Sequence, residues 1–175
     1  MIITGGCMKK IRHLIYVVLL IALDQFTKYL AATILKTSGP FPIIPKVLSL
    51  YYHENNGAVW GIMSGKISFL IITTIIIMAG MVLFYLKIPA GKRYNFMRIV
   101  LVFLSAGAIG NLIDRSINKY VVDFIYFELI DFPIFNLADC YVTGSAALLI
   151  ILCLFYYKDE DFAFLNRKEE KKHEE

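Results

Sequence analysis

Charge is what this sequence has little of. Only 18% of its 175 residues are Asp, Glu, Lys or Arg, and 58% are apolar. A soluble globular domain is about 25% charged and about 45–50% apolar. The shortage argues against an ordinary water-soluble domain and places the chain in lipid. Cysteine is scarce as well. Cys7, Cys140 and Cys153 form an odd set with no short spacing, which argues against a disulfide framework and against a zinc site. His53 has no second histidine or acid spaced to complete a metal site and reads as a loop residue. There is no glycine loop of the phosphate-cradling kind. No serine or cysteine has a spaced base, so nucleophilic catalysis has little support. Cys140 stands beside Asp139, yet a free cysteine in an apolar run is first a small packing residue. The basic residues form no single stripe outside the membrane-flanking segments, which makes nucleic acid a poor partner.

What the chain does have is apolar runs. They fall at about 14–35, 67–86, 99–115 and 137–157. A helix rises ~1.5 Å per residue, so ~20 residues cross the ~30 Å hydrocarbon layer. The expectation is a four-transmembrane-helix bundle, all-α, forming one domain over 1–175. Lys9, Lys10 and Arg12 precede the first run, and Lys87, Lys92, Arg93 and Arg98 separate the second from the third. Lys158, Arg167, Lys168, Lys171 and Lys172 follow the last. Those are twelve of the eighteen Lys and Arg, and the positive-inside rule puts both termini and the 87–98 loop in the cytoplasm. Segment 158–175 reads as a charged, disordered cytoplasmic tail. Met8 followed by Lys9-Lys10-Ile11-Arg12 leaves an alternative translation start open. Thr4-Gly5-Gly6-Cys7 lacks the apolar run that a lipid-attachment box needs. A cleaved leader over 14–35 is disfavoured, because Asp24 and Lys28 interrupt the apolar core.

Two long loops alternate with the cytoplasmic segments. In the first, Ser38-Gly39-Pro40-Phe41-Pro42 is a turn cluster. The alternation of Leu48, Leu50 and Tyr52 with Ser49, Tyr51 and His53 predicts a short strand over 47–53. Asn55, Asn56 and Gly57 carry turn chemistry, and Trp60 suits a membrane interface. In the second, Asp123 sits between Val121-Val122 and Phe124-Ile125, so it either faces water or points into a site. Glu128 and Asp131 have less apolar surroundings and read as solvated.

Acids and amides cluster at the outer ends of the last two runs. Asn111, Asp114 and Arg115 share one side of a helix end by their i, i+3 and i+4 spacing. Arg115 is suited to Asp114, to a backbone carbonyl or to a lipid phosphate. Asp24 and Lys28 have the favourable i, i+4 order, acid first; a structural pair and a functional one remain equally open. Asp139 lies two residues inside the last run, where an acid also offsets the helix dipole. Charges at membrane depth are expensive and mark functional sites. Two close carboxylates cannot both ionise cheaply, so one stays protonated near neutrality. The ionised partner can activate water while the neutral one polarises a carbonyl, which is amide hydrolysis without a covalent intermediate.

Five blocks in this order resemble the bacterial lipoprotein signal peptidases (signal peptidase II). They are Asp24-Gln25-Phe26-Thr27-Lys28; Asn55-Asn56-Gly57-Ala58-Val59-Trp60-Gly61; Gly107-Ala108-Ile109-Gly110-Asn111-Leu112-Ile113-Asp114-Arg115; Val121-Val122-Asp123-Phe124; and Phe132-Pro133-Ile134-Phe135-Asn136-Leu137-Ala138-Asp139. The resemblance runs from about Lys9 to Tyr157. It implies a four-helix membrane aspartic peptidase with a small extracytoplasmic strand cradle and a loop helix. It implies that Asp123 and Asp139 are the catalytic dyad, that Asn111, Arg115 and Asn136 orient the dyad or hold substrate, and that Asp114 supports them. Asp24, Lys28, Asn55 and Gly57 match positions that line or stabilise the family's pocket. The implied substrates are prolipoproteins carrying a diacylglyceryl cysteine, cut just before that cysteine at the outer leaflet of the bacterial inner membrane. No metal or other cofactor is implied, globomycin-type inhibitors are expected to bind, and a monomer is expected. Val59 in place of a common alanine, and the bulky pair Cys140-Tyr141, are small departures.

Two other readings stay open on the residues alone. A proton relay or small transporter would also carry membrane acids, though spread through the depth, and Asp24 is the one deep acid here. An assembly protein with structural ion pairs is the other.

Overall fold

The computed structural model describes residues 2–57 and 63–165, with side chains from Met8 onward. Expectations for Cys7, for Trp60 and its neighbours at 58–62, and for 166–175 lie outside the described residues. Helix α1 (Ile2–Leu30) continues through a π-helical turn (Ala31–Leu35) into the short α2 (Lys36–Ser38). Then come β1 (Phe41–Ile44), β2 (Leu48–Asn55), α3 (Ile67–Lys87), α4 (Asn95–Asn118), β3 (Val121–Tyr126) and α5 (Leu137–Phe155). Single 3₁₀ segments occupy Glu128–Ile130 and Asp159–Leu165. Four helical runs, Met8–Ser38, Ile67–Lys87, Asn95–Asn118 and Leu137–Phe155, are long and apolar enough to cross a membrane. In hydrocarbon every backbone polar group must be satisfied within its own segment, so apolar runs of this length become helices whatever their β-branched content. The isoleucine-rich α3 is the clearest case, with no buried residue at all.

Helix α4 is the central element and packs against α1, α3 and α5. Small residues allow the close approach. A Cβ on Gly107 would stand 2.5 Å from the carbonyl oxygen of Ala138, and one on Gly110 would stand 2.5 Å from Asp24 Oδ2. Glycine at these positions lets α5 and α1 reach the α4 backbone.

The outer loops build a three-stranded antiparallel sheet in the order β1-β2-β3. The turn cluster expected over 38–42 is shorter than its composition suggested. Gly39 turns at φ 81°, and Phe41 already pairs with Leu50. Pro42 is tolerated because β1 is an edge strand. The strand expected over 47–53 is present as β2, and its His53 lies opposite Asp123. Val121, Val122, Asp123 and Phe124 are all buried, so Asp123 does not face water. Val122 and Phe124 pack on Ala31 and Leu35 of the π-helical turn, joining sheet to bundle. Glu128 is not simply solvated, since the hydroxyl of buried Ser49 donates to it. Asp131 is exposed and accepts from the Tyr126 hydroxyl at 2.6 Å.

The opposite end of the bundle is aromatic. Ile88, Met97, Val100, Leu101, Leu152 and Tyr157 form a core there, with Phe84, Tyr94, Phe162 and Phe164 packed on it. Arg98 belongs to the first turn of α4, not to the loop, and its guanidinium gathers the loop carbonyls of Pro89 and Gly91. The start of the tail is ordered, against expectation. Arg93 holds Asp161 through two 2.6 Å hydrogen bonds and also donates to the Tyr156 carbonyl at 2.8 Å.

Candidate active site

The site forms where the C-terminal end of α4 and the N-terminal end of α5 meet β3. Its origin is a helix start. Asn136 caps α5, its Oδ1 accepting the Asp139 backbone N–H at 3.0 Å. The Asp139 carboxylate returns the favour, Oδ2 accepting the Asn136 N–H at 3.1 Å. This reciprocal capping box satisfies two otherwise unpaired donors. Asp139 therefore has a structural part at the helix end, and its other oxygen remains for the site. Oδ1 accepts from Asn111 Nδ2 at 2.8 Å.

Asn136 also reaches the second carboxylate. Its Nδ2 donates to Asp123 Oδ1 at 2.6 Å and to Asn111 Oδ1 at 3.1 Å. A backbone closure makes the meeting happen. Phe135 N–H donates to the Ile125 carbonyl, and Phe124 and Ile125 N–H donate back to Phe135. The chain between β3 and α5 is thus pinched shut, and Asn136 lands against Asp123. The other Asp123 oxygen accepts from Asn55 Nδ2 at 2.8 Å, and Asn55 is itself held by the Gly57 N–H at 2.9 Å. Turn chemistry at Asn55-Asn56-Gly57 and a contact to Asp123 therefore coexist in one side chain. Arg115 does not pair with Asp114. Its Nη2 donates to the Gly57 carbonyl at 3.2 Å, and its Nε is buried without a partner among the described residues.

A buried ionic cluster stands behind this pair. Asp24 is 0% exposed and Lys28 3%. Lys28 Nζ lies 2.9 Å from Asp24, 3.1 Å from Asp114 and 2.8 Å from Asn111 Oδ1. Asp24 Oδ1 accepts the Ala138 N–H at 2.9 Å, so a carboxylate from α1 helps to cap α5. Asp114 Oδ2 accepts the Val122 N–H at 3.1 Å, which ties α4 to β3. Asp24 is therefore not an isolated deep acid. It is joined through Lys28 and Asn111 to the outer cluster. Gln25 was missed as a site residue by residue-level reading. Its Nε2 spans Asp24, the Gly110 carbonyl and Asp114 at 3.1–3.2 Å. The available signal was an amide inside an apolar run, where an unpaired polar group is costly.

Burial, and then the neighbouring Asp139 carboxylate, push the Asp123 carboxyl up to about 7. The amides of Asn55 and Asn136 and the Lys28 ammonium pull the other way. An acid poised at neutrality beside a second acid is suited to general acid–base work. Among the described residues, every hydrogen bond to the four carboxylate oxygens comes from an N–H donor. Among the described residues no three His, Cys, Asp or Glu gather as a metal centre would require.

Comparison with known proteins gives one consistent answer. The family described as Signal peptidase (SPase) II matches residues 16–155. Lipoprotein signal peptidases of Staphylococcus aureus strains JH9 and Newman are each 46% identical over 140 residues, covering 78% of this chain and 84% of theirs. Two solved structures are described as bacterial membrane enzymes determined by the in meso method. The one at 2.3 Å resolution superposes with a TM-score of 0.74 at 40% identity, covering 85% of this chain and 92% of its own. The one at 1.9 Å gives 0.72 at 43% identity, covering 83% and 94%.

Proposed function

The chain belongs to the signal peptidase II family of membrane proteases, and we propose that it is an aspartic endopeptidase whose dyad is Asp123 and Asp139. In this reading it removes the signal peptide from prolipoproteins by cutting before a diacylglyceryl cysteine. The observation that carries the assignment is Asn136, which hydrogen-bonds both carboxylates at once. The pair holds one proton near neutrality. The ionised carboxylate draws a proton from water, which attacks the scissile carbonyl. The protonated partner donates to that carbonyl oxygen, and the proton later passes to the leaving amine. Because the pair titrates as a unit, its apparent values belong to both acids.

The substrate chemistry fits the position of the acids. A lipidated cysteine fixes the scissile bond at the bilayer surface, and the two carboxylates, Asp139 at a helix start and Asp123 on β3, lie where apolar span gives way to sheet. Acyl chains would bind to apolar walls at ~0.8 kcal/mol per buried CH₂. Asn111, Asn136 and Asn55 orient the carboxylates, Arg115 and Gly57 shape the rim, and Asp24, Lys28 and Asp114 hold the frame. Both termini are cytoplasmic and the site faces the outer leaflet of the bacterial inner membrane. Globomycin-type inhibitors bind at this site, and the working unit is a monomer.

The test is cleavage of a diacylglyceryl-modified prolipoprotein by purified protein in lipid. Asp123→Asn and Asp139→Asn are each expected to remain folded and to lose roughly 10²–10⁴-fold in kcat, the scale of general acid–base assistance. Normal processing by either variant refutes the dyad.

A further inference from the structure

We propose that Lys28 is a positioning residue for this hydrolysis: it fixes the rotation of the Asn111 carboxamide so that an N–H, and not a carbonyl oxygen, faces Asp139. The inference rests on the dyad reading given above.

The two ends of a carboxamide have nearly the same shape, so packing alone does not choose between them. Partners that can only donate do choose. An ammonium has three donors and no acceptor. Lys28 Nζ stands 2.8 Å from one end of Asn111, which must therefore be the oxygen. Asn136 Nδ2 donates to that same oxygen at 3.1 Å. The nitrogen end is left facing Asp139 Oδ1 at 2.8 Å. Asn136 is set by the same logic, since the Asp139 backbone N–H can only donate, and it does so to Asn136 Oδ1 at 3.0 Å. The Asn136 nitrogen is then left for Asp123 and Asn111.

Lys28 is itself aimed from two sides, by Asp24 at 2.9 Å and Asp114 at 3.1 Å. Those carboxylates are anchored by backbone N–H groups of Ala138 and Val122, the elements that carry the dyad. Lys28 makes no hydrogen bond to Asp123 or Asp139; apart from the through-space pull of its charge on Asp123, it acts on the pair through Asn111. Without it, the Asn111 oxygen keeps only the longer 3.1 Å bond from Asn136 Nδ2 and is freer to turn toward Asp139. That arrangement repels an ionised carboxylate and suits only a protonated one. The loss therefore falls on proton placement and geometry, not on substrate affinity. Among the described residues, the charged groups facing the pair are Lys28 from α1 and Arg115 from α4, and the neutral Cys140 thiol stands beside Asp139 on α5. β2 contributes the neutral Asn55 amide, and His53 opposite Asp123 is exposed.

Lys28→Met alone would leave Asp24 and Asp114 buried without a counter-charge, and breaking such a cluster destabilises strongly. The informative protein is the charge-balanced double variant Asp24→Asn/Lys28→Met. It keeps the buried cluster at the same net charge, and the amide introduced at position 24 still accepts from the Ala138 N–H. Its expected kcat on a diacylglyceryl-modified peptide is about 10–100-fold below the parent, the scale of a misplaced catalytic group. KM should stay within about twofold, since substrate contacts are untouched, and the pH optimum should move upward. Lys28→Arg also presents only donors and should retain clearly more kcat than the double variant. The inference is overturned if the double variant matches the parent in kcat and pH profile, if its loss lies in KM, or if Lys28→Arg is as impaired as the double variant. Should the double variant not fold, the kcat and pH profile of Lys28→Arg decide: a near-parental profile supports the inference and a dyad-null profile overturns it. Activity in Asp123→Asn or Asp139→Asn would sink the dyad reading itself. Inactive dyad variants beside an unaffected double variant would sink only this one.

Discussion

Gly110 and Asp123 show how much of this site depends on single side chains. A methyl on Gly110 would collide with Asp24 Oδ2 at 2.5 Å and crowd its Cγ at 3.2 Å. The Asp24 carboxylate cannot retreat without leaving Lys28, Gln25 and the Ala138 N–H. Gly110→Ala is expected to lower stability by about 1–3 kcal/mol, the usual scale of overpacking. Gly144→Ala, with nothing within 4 Å of the added carbon, should be neutral or raise stability by up to about 1 kcal/mol. Thermal unfolding of the two variants in detergent makes the comparison. Asp123 adds a pH dependence. Its carboxyl is raised from 3.8 to about 7 in the folded protein, so between those values the folded state holds the proton more tightly than the unfolded chain. Its contribution is fully present at acidic pH and is lost as pH rises toward about 7. The melting temperature of the parent should fall across that window, and Asp123→Asn should flatten the fall. An equal slope in both proteins would contradict the assignment of the shift to Asp123.

Among the elements, the segment after α5 is the one whose behaviour departs most from its composition. Asp159–Leu165 is rich in acid but also carries Phe162 and Phe164, which pack on the aromatic core under α3 and α4. Arg93 pulls Asp161 well down, to about 2, through its two hydrogen bonds. The ion pair itself is largely exposed on the arginine side, where solvent screens it. The two phenylalanines are partly buried, and each contributes a share of the roughly 1.5–3 kcal/mol that a fully buried side chain would. Truncation after Lys158 should therefore lower the melting temperature clearly, while Asp161→Asn should barely change it. If the two variants melt alike, the aromatic packing is not what holds the segment. The segment lies beyond residue 155, where the match to the family ends.

For the whole molecule, the distribution of charge and apolar surface supports the orientation proposed above. Large side chains such as Leu83, Ile76, Leu154 and Phe155 are more than half exposed, as a lipid-facing surface requires. Among the described residues, Lys87, Lys92, Arg93, Arg98 and Lys158 lie at the aromatic end of the bundle, and the acid pair lies at the other. A periplasm-active reporter fused after Leu165 should be silent and a cytoplasm-active one bright, with the opposite result for insertion at Lys119. Matching signals at both positions would contradict the orientation proposed here.

Length and hydrophobicity alone determined the four spans, because lipid leaves a long apolar run no structure but a helix. The acids stood out for a similar reason: their charge is costly at that depth, whatever surrounds them. The spacing of Asp24 and Lys28 on one turn was enough to pair them. What only the tertiary structure decided was partnership across elements. Asp114 meets Lys28 and not Arg115, Gln25 joins three acceptors, and Asn136 spans two carboxylates. The Phe162 and Phe164 packing was equally out of reach. Each depends on where a sheet closure or a glycine contact brings distant backbone together. No local periodicity encodes that, since those of the bonds that cross between elements join residues 13 to 89 positions apart.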